Sequence, residues 1–496
     1  MQKLCNQTLE QITVPKGKRP ARERVIQFGE GGFLRAFVDW MIDKANEEAG
    51  MDAGVVIVQP IERGLVDKLN EQDGLYTLLL RGKAEGRVVR DVRAITCVRR
   101  GVNPYTDNAA FLELAHNPDM RFIVSNTTEA GIVYTGKDHF DDAPQASYPG
   151  KLTRLLYERY VCMEGRAGSG FIILPVELID YNGRKLYECV VKTARQWALP
   201  EGFFTWLDEE NVFTSTLVDR IVTGYPRDDA QEILSELGYE DFMLDTAEPF
   251  GLWVIEGPDW IEAELPFKKA GCNVIFTPDV SPYKLRKVRM LNGAHTSMVL
   301  GAYLAGLNTV GECMQDENVR KTMSTALFEE IMPTLDLPRD DLQAFAAAIF
   351  ERFENPFIRH YLLSIALNSC SKFKARVLPT IREYVRRKGA LPKVLTFSMA
   401  AFIAFYLGEM KPDGTMEGVR PAGNAYPIAD DKDVLSFFAG LKEKSSEEIA
   451  HAVLSNTAFW DDDLTTAIPG FEASVSASLE EIRTKGARAA IDALAQ

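Results

Sequence analysis

The sequence predicts an α/β protein in which a doubly wound sheet is followed by a mostly α-helical domain. Short apolar runs typical of buried strands alternate with helical patterns over the first half of the chain. From residue 281 onward the patterns are long and almost entirely helical. The 496 residues are too many for one core. We therefore predict a leader (1–20), a sheet domain (21–277) and a helical domain (278–496), with breakers in "TPDVSPY" at the last boundary.

The strands of the sheet domain are predicted from β-branched and aromatic runs that turn residues enclose. They are "RVIQF" (24–28), "GVVIVQP" (54–60), "RFIVSN" (121–126) and "GFIILPVELI" (170–179), with further strands in "FGLWVIEG" and "CNVIFTPDV". A helix, "LRAFVDWMIDKANEEAG", follows the first strand, and "NAAFLELAHN" is a second helix. Two alternatives remain for the leader, which is either disordered or packed on the sheet.

The helical domain is predicted from apolar residues at helical spacing. Its helices are "YKLRKVRMLNGAHTSMVLGAYLAGL" (283–307), "DDLQAFAAAIFERF", "PFIRHYLLSIALNSCSKF" (356–373), "PTIREYVRRKG", "LTFSMAAFIAFYLGEM" and "LEEIRTKGARAAIDALAQ". The apolar segment near 395–408 is shorter than the roughly 20 residues that span a bilayer, so a buried helix is expected. Residues 410–431 are rich in Pro and Gly and predict a surface excursion.

Composition indicates a cytoplasmic protein. The 56 basic and 71 acidic residues give a net charge of −15, which disfavours unspecific binding to nucleic acid and to anionic membranes. The seven cysteines are scattered without a CxxC pair, which argues against a disulfide framework or a structural zinc site and favours a reducing compartment. The N-terminal residues contain no apolar signal-peptide region.

A glycine-rich turn after the first strand predicts a dinucleotide site and hence a Rossmann-like domain. "VIQFGEGGFLRAF" places Gly29, Gly31 and Gly32 between a strand and a helix. Glycines there allow a tight turn and let backbone N–H groups approach a pyrophosphate at the helix N-terminus. The usual third glycine falls at Leu34, so an ordinary βα turn is the alternative.

Two further segments bear on the dinucleotide. Asn126 and Thr127 in "SNTTEAG" follow another strand and are expected at the same sheet edge, with a polar turn as the alternative. After the second strand, Gln59 and Glu62 are candidates to hold an adenosine ribose, whereas Arg63 favours a 2′-phosphate. We prefer NAD to NADP on this pattern.

The segment "KVRMLNGAH" (287–295) predicts a proton-transfer site. At about 100° per residue, Lys287, Asn292 and His295 fall at about 0°, 140° and 80° on one broad helix face, and Gly293 follows Asn292 directly. Desolvation can bring a lysine pKa from about 10.4 to roughly 7–8, which suits a general base. Asn292 is expected to stabilise a developing alkoxide and His295 to orient a substrate oxygen. The alternative is a snorkelling lysine, a packed asparagine and a core histidine.

Position favours the catalytic interpretation. This helix opens the second domain, so the sequence places it where it can face the glycine turn across an interdomain cleft, and such clefts are common ligand sites. A missing side chain at Gly293 is expected to let a ring or substrate come close to the helix backbone.

The lysine–asparagine–histidine segment and the glycine turn both resemble motifs of a known family. "KVRMLNGAH" fits the K-x-x-x-x-N-x-x-H pattern of the mannitol dehydrogenase family, and "FGEGGFLRAF" resembles its cofactor turn. "QDGLYT", "LVDRI" and "RFENPFIRH" resemble further blocks, so that the likeness covers nearly the whole chain. "SNTTEAGI", "ELIDYNG" and "LNGAHT" are most similar to the branch that acts on sugar acids. The resemblance implies NAD-linked interconversion of D-altronate and D-tagaturonate, without a metal and with lysine as general acid/base.

The resemblance also implies site residues. Lys287, Asn292 and His295 carry over as catalytic residues. Asn182 and Asp219 carry over as substrate-binding or supporting residues, each with a turn or buried structural role as the alternative. The cofactor-binding segment that carries over consists of Ile26, Gln27, Phe28, Gly29, Glu30, Gly31, Gly32, Phe33, Leu34, Arg35, Ala36 and Phe37.

A carboxylate on the substrate calls for a fixed cation. The candidates are His360, Lys372, Arg359 and Arg376, and a solvated surface position is the alternative for the two arginines. Ser364 stands where the sugar-alcohol branch carries an arginine, so the far end of the substrate must be held differently here. Fructuronate or mannitol as substrate, and a catalytically silent dinucleotide sensor, remain alternatives.

Overall fold

The computed structural model describes residues 1–128 and 130–496, and the chain forms two compact units, Met1–Val280 and Ser281–Gln496. The second unit therefore begins three residues after the predicted boundary at 278. A strand ends at Thr277 and the next helix begins at Ser281, so the residues between them form the connection.

The first unit contains fourteen strands among the described residues. They are β1 (Gln2–Lys3), β2 (Glu23–Phe28), β3 (Gly54–Val58), β4 (Tyr76–Ala84), β5 (Arg87–Ile95), β6 (Val98–Val102), β7 (Phe122–Ser125), β8 (Ile172–Pro175), β9 (Val212–Phe213), β10 (Ser215–Asp219), β11 (Tyr239–Glu240), β12 (Asp245–Ala247), β13 (Leu252–Glu256) and β14 (Val274–Thr277).

Six of these strands form a parallel sheet in the order β6-β3-β2-β7-β8-β9. Counted along the chain within this sheet, the order is 3-2-1-4-5-6, which is that of Rossmann domains. From β2 the chain first adds strands on one side of the sheet and then, starting with β7, on the other side. The carboxyl ends of β2 and β7 therefore lie at a topological switch point. Ligands of open α/β sheets bind at such a point.

Alternate residues of these strands enter two separate cores. Val25, Phe122 and Ile172 are buried in one core. Their chain neighbours Ile26, Ile123 and Ile173 are buried in the other core. Both faces of the sheet are therefore covered, which explains the nearly continuous apolar runs of the predicted strands.

Helices cover the sheet. In the first unit they are α1 (Asn6–Leu9), α2 (Gly32–Leu34), α3 (Trp40–Ala49), α4 (Val66–Asn70), α5 (Asn108–Glu113), α6 (Tyr148–Cys162), α7 (Asn182–Gln196), α8 (Glu201–Glu210), α9 (Ala230–Leu237) and α10 (Ile261–Glu264). A π-helical turn, Arg35–Asp39, joins α2 to α3, and a 3-10 turn, Leu114–His116, follows α5.

The leader packs on the first unit. β1 pairs in parallel with β11, Leu4 is fully buried, and the amide of Ala94 donates to the carbonyl of Pro15. Of the two alternatives for the leader, the packed one is the one observed.

Two small sheets, ordered β12-β4-β5 and β10-β13-β14, accompany the parallel sheet. β13 and β14 lie in the predicted strand segments "FGLWVIEG" and "CNVIFTPDV", whereas β4 and β5 were not predicted. β4 and β5 form a long hairpin whose two-residue turn, Glu85 and Gly86, has positive φ at both positions. This geometry matches the twist of an antiparallel pair. The pattern was overlooked because β5 is largely exposed and polar, and so lacks an apolar run.

The second unit is mainly helical. Its helices are α11 (Ser281–Arg286), α12 (Gly293–Leu304), α13 (Val310–Gln315), α14 (Glu317–Thr325), α15 (Arg339–Phe353), α16 (Leu362–Ala366), α17 (Ser369–Arg376), α18 (Leu378–Lys388), α19 (Lys393–Tyr406), α20 (Lys432–Ala439), α21 (Ser446–Leu454), α22 (Thr457–Trp460), α23 (Leu464–Ala467), α24 (Phe471–Lys485) and α25 (Ala487–Leu494). π-helical turns span Lys287–Asn292 and Ala326–Ile331, and a 3-10 turn spans Met332–Thr334. α19 packs against α12 and α24 and is buried nearly all round, as its uniform apolarity predicts.

Two helix predictions for this unit were wrong in detail. The helix expected at 356–373 is two helices, because Asn368 takes a left-handed conformation that asparagine tolerates. The C-terminal helix is also two, because Gly486 has φ +85°. The excursion at 410–431 contains an antiparallel sheet of β15 (Glu409–Met410), β16 (Met416–Val419) and β17 (Ala425–Ile428).

Candidate active site

A cleft of about 530 Å³ lies in the first unit at the carboxyl ends of β2, β3 and β7. Its lining comes from residues 29–31, 60–61, 126–128 and 146–148, and from four residues between 130 and 135. Gly29 follows β2 directly and Asn126 follows β7 directly, so the cleft is at the switch point of the sheet. Glu129 in "SNTTEAG" lies outside the described residues.

Glycine is found at three positions of the turn after β2 for three different physical reasons. Gly29 has φ +124°, a conformation that side chains rarely adopt. A Cβ on Gly32 would lie 3.0 Å from the Asp245 carboxylate, so this glycine permits close packing. A Cβ on Gly31 would meet no atom within 4 Å. Gly31 is therefore not required by packing, and its missing side chain leaves cleft space open.

Buried side chains hold the carbonyl groups of this turn. The Gln27 amide donates to the Gly29 carbonyl at 3.1 Å, and the Arg35 guanidinium donates to the Glu30 carbonyl at 3.0 Å. Among the described residues, no acceptor takes the N–H groups of Gly31 and Gly32. Two donors without a protein acceptor therefore stand at the start of a helical run from 32 to 49. A diphosphate is a suitable ligand for such donors.

The predicted cofactor segment divides into lining residues and supporting residues. Gly29, Glu30 and Gly31 line the cleft. The other described members do not line it. Of these, Ile26, Gln27, Phe28, Leu34, Arg35, Ala36 and Phe37 are buried, and Gly32 and Phe33 are partly buried. The buried side chains act on the turn from behind, and contact with a ligand through them stays a prediction.

Glu177 fixes the wall that Asn126 and Thr127 form. Its carboxylate accepts hydrogen bonds from the backbone amide of Thr127 at 2.9 Å, from the Thr127 hydroxyl at 3.0 Å and from the Ser125 hydroxyl at 3.1 Å. The side chain is 2% exposed, and burial raises its pKa. Sequence reasoning did not identify Glu177, since a lone acid after a strand carries no spacing signal.

Lys151 connects the opposite walls of the cleft. Its fully buried ammonium donates to the Tyr105 hydroxyl at 3.0 Å and to the Ala146 carbonyl at 3.1 Å, and Tyr105 in turn donates to the Pro60 carbonyl. Burial lowers the pKa of Lys151 to about 8. Over the part of the chain that the structure describes, no carboxylate forms an ion pair with it. Its charge therefore favours an anionic ligand in the cleft.

The loop after β3 only partly supports the predicted ribose contacts. The amide of Gln59 is buried and donates to the carbonyls of Ile61 and Glu62, so it is used within its own loop. Glu62 and Arg63 are exposed. Because its amide is already used, Gln59 is a weaker candidate for binding the ribose than Glu62.

In the second unit, a π-helical turn rearranges the lysine and the asparagine. Lys287–Asn292 is π-helical, and the amide of Gly293 donates to the carbonyl of Val288 five residues earlier. Such a turn brings residue i+5 nearly above residue i, so Lys287 and Asn292 lie closer in direction than the predicted 140°. Asn292 and His295 are then i and i+3, which share a helix face. We therefore expect the three side chains in one row on this face, and all three residues are half-buried.

His295 lies in an aromatic and cationic surrounding. Its ring stacks on Phe353 at 4.0 Å between centroids and meets the His360 ring edge-on at 5.1 Å. Its Nε2 is buried and has no hydrogen-bond partner among the described residues. Burial, together with the charges of His360, Arg352 and Arg376, holds the His295 pKa well below its usual range. A neutral imidazole can donate to one hydroxyl and accept from another.

The amide of Asn292 makes no hydrogen bond with the residues that the structure describes. It is therefore available to donate to a ligand oxygen, as the sequence analysis expects of it. The explanation given there for Gly293 is wrong. A Cβ on Gly293 would lie 3.1 Å from the Arg376 carbonyl, so this glycine admits the end of α17 and leaves no room for a substrate.

His360 and Lys372 lie in the same unit as this row. His360 is half-buried beside His295, and burial lowers its pKa. The Lys372 ammonium donates to the Ile365 carbonyl at 2.8 Å, and its pKa is lowered by burial and by the charge of Arg376. Their roles toward substrate stay predictions.

Asn182 is buried and held by hydrogen bonds within the first unit. Its side chain is fully buried in the first unit and makes five hydrogen bonds. The amide donates to the carbonyls of Pro175, Glu177 and Thr216, and the oxygen accepts from the amides of Gly183 and Thr216. Every donor of this amide is used in these bonds, which favours the buried structural alternative, and the role as an oxyanion donor stays a prediction. Asp219 is buried at the end of β10, opposite Leu252 of β13.

Replacing Asn182 by alanine is expected to lower the free energy of unfolding by about 2–4 kcal/mol, because buried carbonyls lose their donors. Urea unfolding measures this loss. Asn70→Ala is the matched control, since Asn70 is exposed and its side chain bonds only Gly101 among the described residues, and its loss should stay below about 1 kcal/mol. Equal losses for the two variants would contradict the structural role.

Two general properties complete the description. Among residues 1–128 and 130–496, no three His, Cys, Asp or Glu side chains are grouped so as to hold a metal ion. No described helix combines the length and the apolarity that crossing a membrane requires.

Comparisons with known proteins place these features in context. The family model described as mannitol dehydrogenase Rossmann domain matches residues 23–269, and the mannitol dehydrogenase C-terminal domain matches residues 279–483. The altronate oxidoreductase of Cronobacter sakazakii is 50% identical over 476 residues, covering 95% of this chain and 96% of that protein.

Two solved structures share the fold. A substrate-free D-sorbitol dehydrogenase has a TM-score of 0.80 and 21% identity, and covers 98% of this chain and 100% of its own. The mannitol 2-dehydrogenase of Pseudomonas fluorescens, in a ternary complex with NAD and D-mannitol, has a TM-score of 0.66 and 23% identity, and covers 99% of both chains.

Proposed function

This chain belongs to the mannitol dehydrogenase family, and on that premise we propose that it is an NAD-dependent oxidoreductase that interconverts D-altronate and D-tagaturonate. The observation that carries the proposal is the row of Lys287, Asn292 and His295 in a chain half identical to an altronate oxidoreductase. Hexuronate breakdown is the process that this reaction serves.

The cleft of the first unit fits NAD. The open space beside Gly31, the two available N–H groups and the buried charge of Lys151 suit a diphosphate. NAD bound there supplies or accepts the hydride. Gly29, Glu30, Gly31, Asn126 and Thr127 are the lining residues that would hold it.

The chain's own residues handle the proton and the charge. In the reductive direction, Lys287 donates a proton to the ketone oxygen of the substrate. Asn292 donates a hydrogen bond to the same oxygen as negative charge develops on it. Neutral His295 orients a substrate hydroxyl through its available ring nitrogen. In the oxidative direction Lys287 accepts the proton.

We place the reaction in the cytoplasm. All seven cysteines are free, which agrees with a reducing compartment. The substrate is a small sugar acid, and the acidic balance of the chain speaks against nucleic acid as a partner.

The test compares NADH oxidation with tagaturonate, fructuronate and fructose. Tagaturonate is expected to give the highest kcat/KM. A preference for fructuronate would assign the chain to mannonate oxidation, and a preference for fructose would assign it to mannitol oxidation. No oxidation with any of the three would favour a non-catalytic NAD-binding sensor.

Replacing Gly31 by alanine is expected to raise the Kd for NADH by about tenfold, since the added methyl group enters the space meant for the phosphates. Fluorescence titration measures the Kd. The melting temperature should stay unchanged, because that methyl meets no protein atom.

Gly32→Ala is the matched control for this prediction. Its Cβ would lie against the Asp245 carboxylate, so a lower melting temperature is expected. If Gly31→Ala binds NADH normally, the glycine turn does not hold the diphosphate.

A further inference from the structure

The second unit contains a group of cations around His295. The charges of Arg352, His360 and Arg376 all reach this ring. Lys372 and Arg376 are i and i+4 on α17, so they share one face of that helix. Like charges at this spacing are destabilising, and an anion between them relieves the repulsion.

Close packing places α17 beside the catalytic row. The Arg376 carbonyl lies 3.1 Å from the position of a Cβ on Gly293, the residue between Asn292 and Ala294. Only glycine at 293 allows this approach without movement of the backbone. The end of α17 is thereby held against the helix that carries Lys287, Asn292 and His295.

The guanidinium of Arg376 differs from the neighbouring cations. The Lys372 ammonium donates to the Ile365 carbonyl, and the negative charge of Asp430 partly stabilises it. Lys374 forms an ion pair with Asp461 at 2.7 Å. Arg376 makes neither a hydrogen bond nor an ion pair with the described residues, although it is half-buried. Burial lowers its pKa, and no acidic side chain opposes that effect.

A half-buried arginine without a counterion is unfavourable in the free protein. Its planar fork of donors matches a carboxylate, which it can bind through two parallel hydrogen bonds. Arg359, the other arginine candidate, is exposed and lacks this desolvated surrounding.

We propose that Arg376 binds the carboxylate of the substrate and so selects sugar acids over neutral sugars. The inference rests on the proposed function, because it needs a sugar acid as substrate. Lys372 stands beside it and adds positive charge.

The test compares Arg376→Met with wild type on two ketones, tagaturonate and tagatose, in which a hydroxymethyl group replaces the carboxylate. Arg376→Met should lower kcat/KM for tagaturonate by about 10–100-fold, mainly through KM, because a charge-assisted bond is lost. Turnover of tagatose should change by less than about threefold. Arg376→Lys should recover part of the loss.

Lys374→Met is the matched control, since it removes a cation from the same helix without touching the proposed site. Its kcat/KM for tagaturonate should equal that of wild type. Thermal stabilisation of the NADH complex by altronate gives a second readout, and it should be lost only in Arg376→Met.

The outcomes separate the two proposals. If wild type and Arg376→Met reduce tagaturonate equally well, the inference is overturned and the proposed function is unaffected. An equal loss on tagaturonate and tagatose also overturns it, because the role of Arg376 is then structural. If wild type reduces neither tagaturonate nor fructuronate, the proposed function itself is overturned.

Discussion

Replacing Lys287 by alanine is expected to lower kcat for tagaturonate reduction by about 10²–10⁴-fold, the range that a positioned general acid contributes. The π-helical turn brings Lys287 toward the face of Asn292 and His295, and in the proposed mechanism its proton goes to the oxygen that the asparagine amide stabilises. An alanine methyl cannot donate a proton. Stopped-flow NADH oxidation measures the effect, and NADH binding should remain normal because the glycine turn is unchanged.

Lys284→Ala is the control for this experiment. Lys284 lies one turn earlier in the same helical run and is half-buried, like Lys287. Its removal should change kcat by less than about threefold. If Lys287→Ala stays within that range as well, the proton comes from another group.

Much of the sheet domain could be predicted because both faces of its parallel sheet are covered. Residues such as Ile26 and Val25 enter opposite cores, so the whole strand is apolar and stands out in the sequence. The glycine turn was equally visible, since only a strand followed by glycines and a helix gives this pattern.

The hairpin of β4 and β5 could not be recognised in the same way. β5 exposes most of its residues and therefore lacks an apolar run in the sequence. It pairs with β4 across a two-residue turn, but that pairing leaves no apolar pattern in β5 itself. Helix breaks depend on single residues, as at Asn368, whose left-handed conformation is stabilised by tertiary contacts that no helical pattern contains.

The candidate site shows the same division. The spacing of Lys287, Asn292 and His295 predicts a shared helix face, yet the π-helical turn that brings the first two together could not be predicted, because periodicity assumes an even step of about 100°. Glu177 and Lys151 escaped notice, since their importance depends on burial and on partners distant in sequence. The hydrogen bonds of Asn182 could not be foreseen for the same reason.

Replacing Asn292 by alanine is expected to lower kcat by about 10²–10³-fold, the loss that removal of one oxyanion donor produces. KM should change little, because the hydrogen bond strengthens only as charge develops on the substrate oxygen. Asn292 makes no hydrogen bond with the described residues, so its truncation should not disturb the fold. Steady-state kinetics with tagaturonate and a thermal melt check both statements.

Asn292→Asp is the companion variant, since it keeps the shape and replaces the donor by a repelling carboxylate. Its loss should be at least as large as that of alanine. In the double variant with Lys287→Ala, the combined loss should fall well short of the product of the single losses, because both groups act on one oxygen. Independent, multiplicative losses would mean that lysine and asparagine serve different atoms, and the shared-oxygen mechanism would then have to be abandoned.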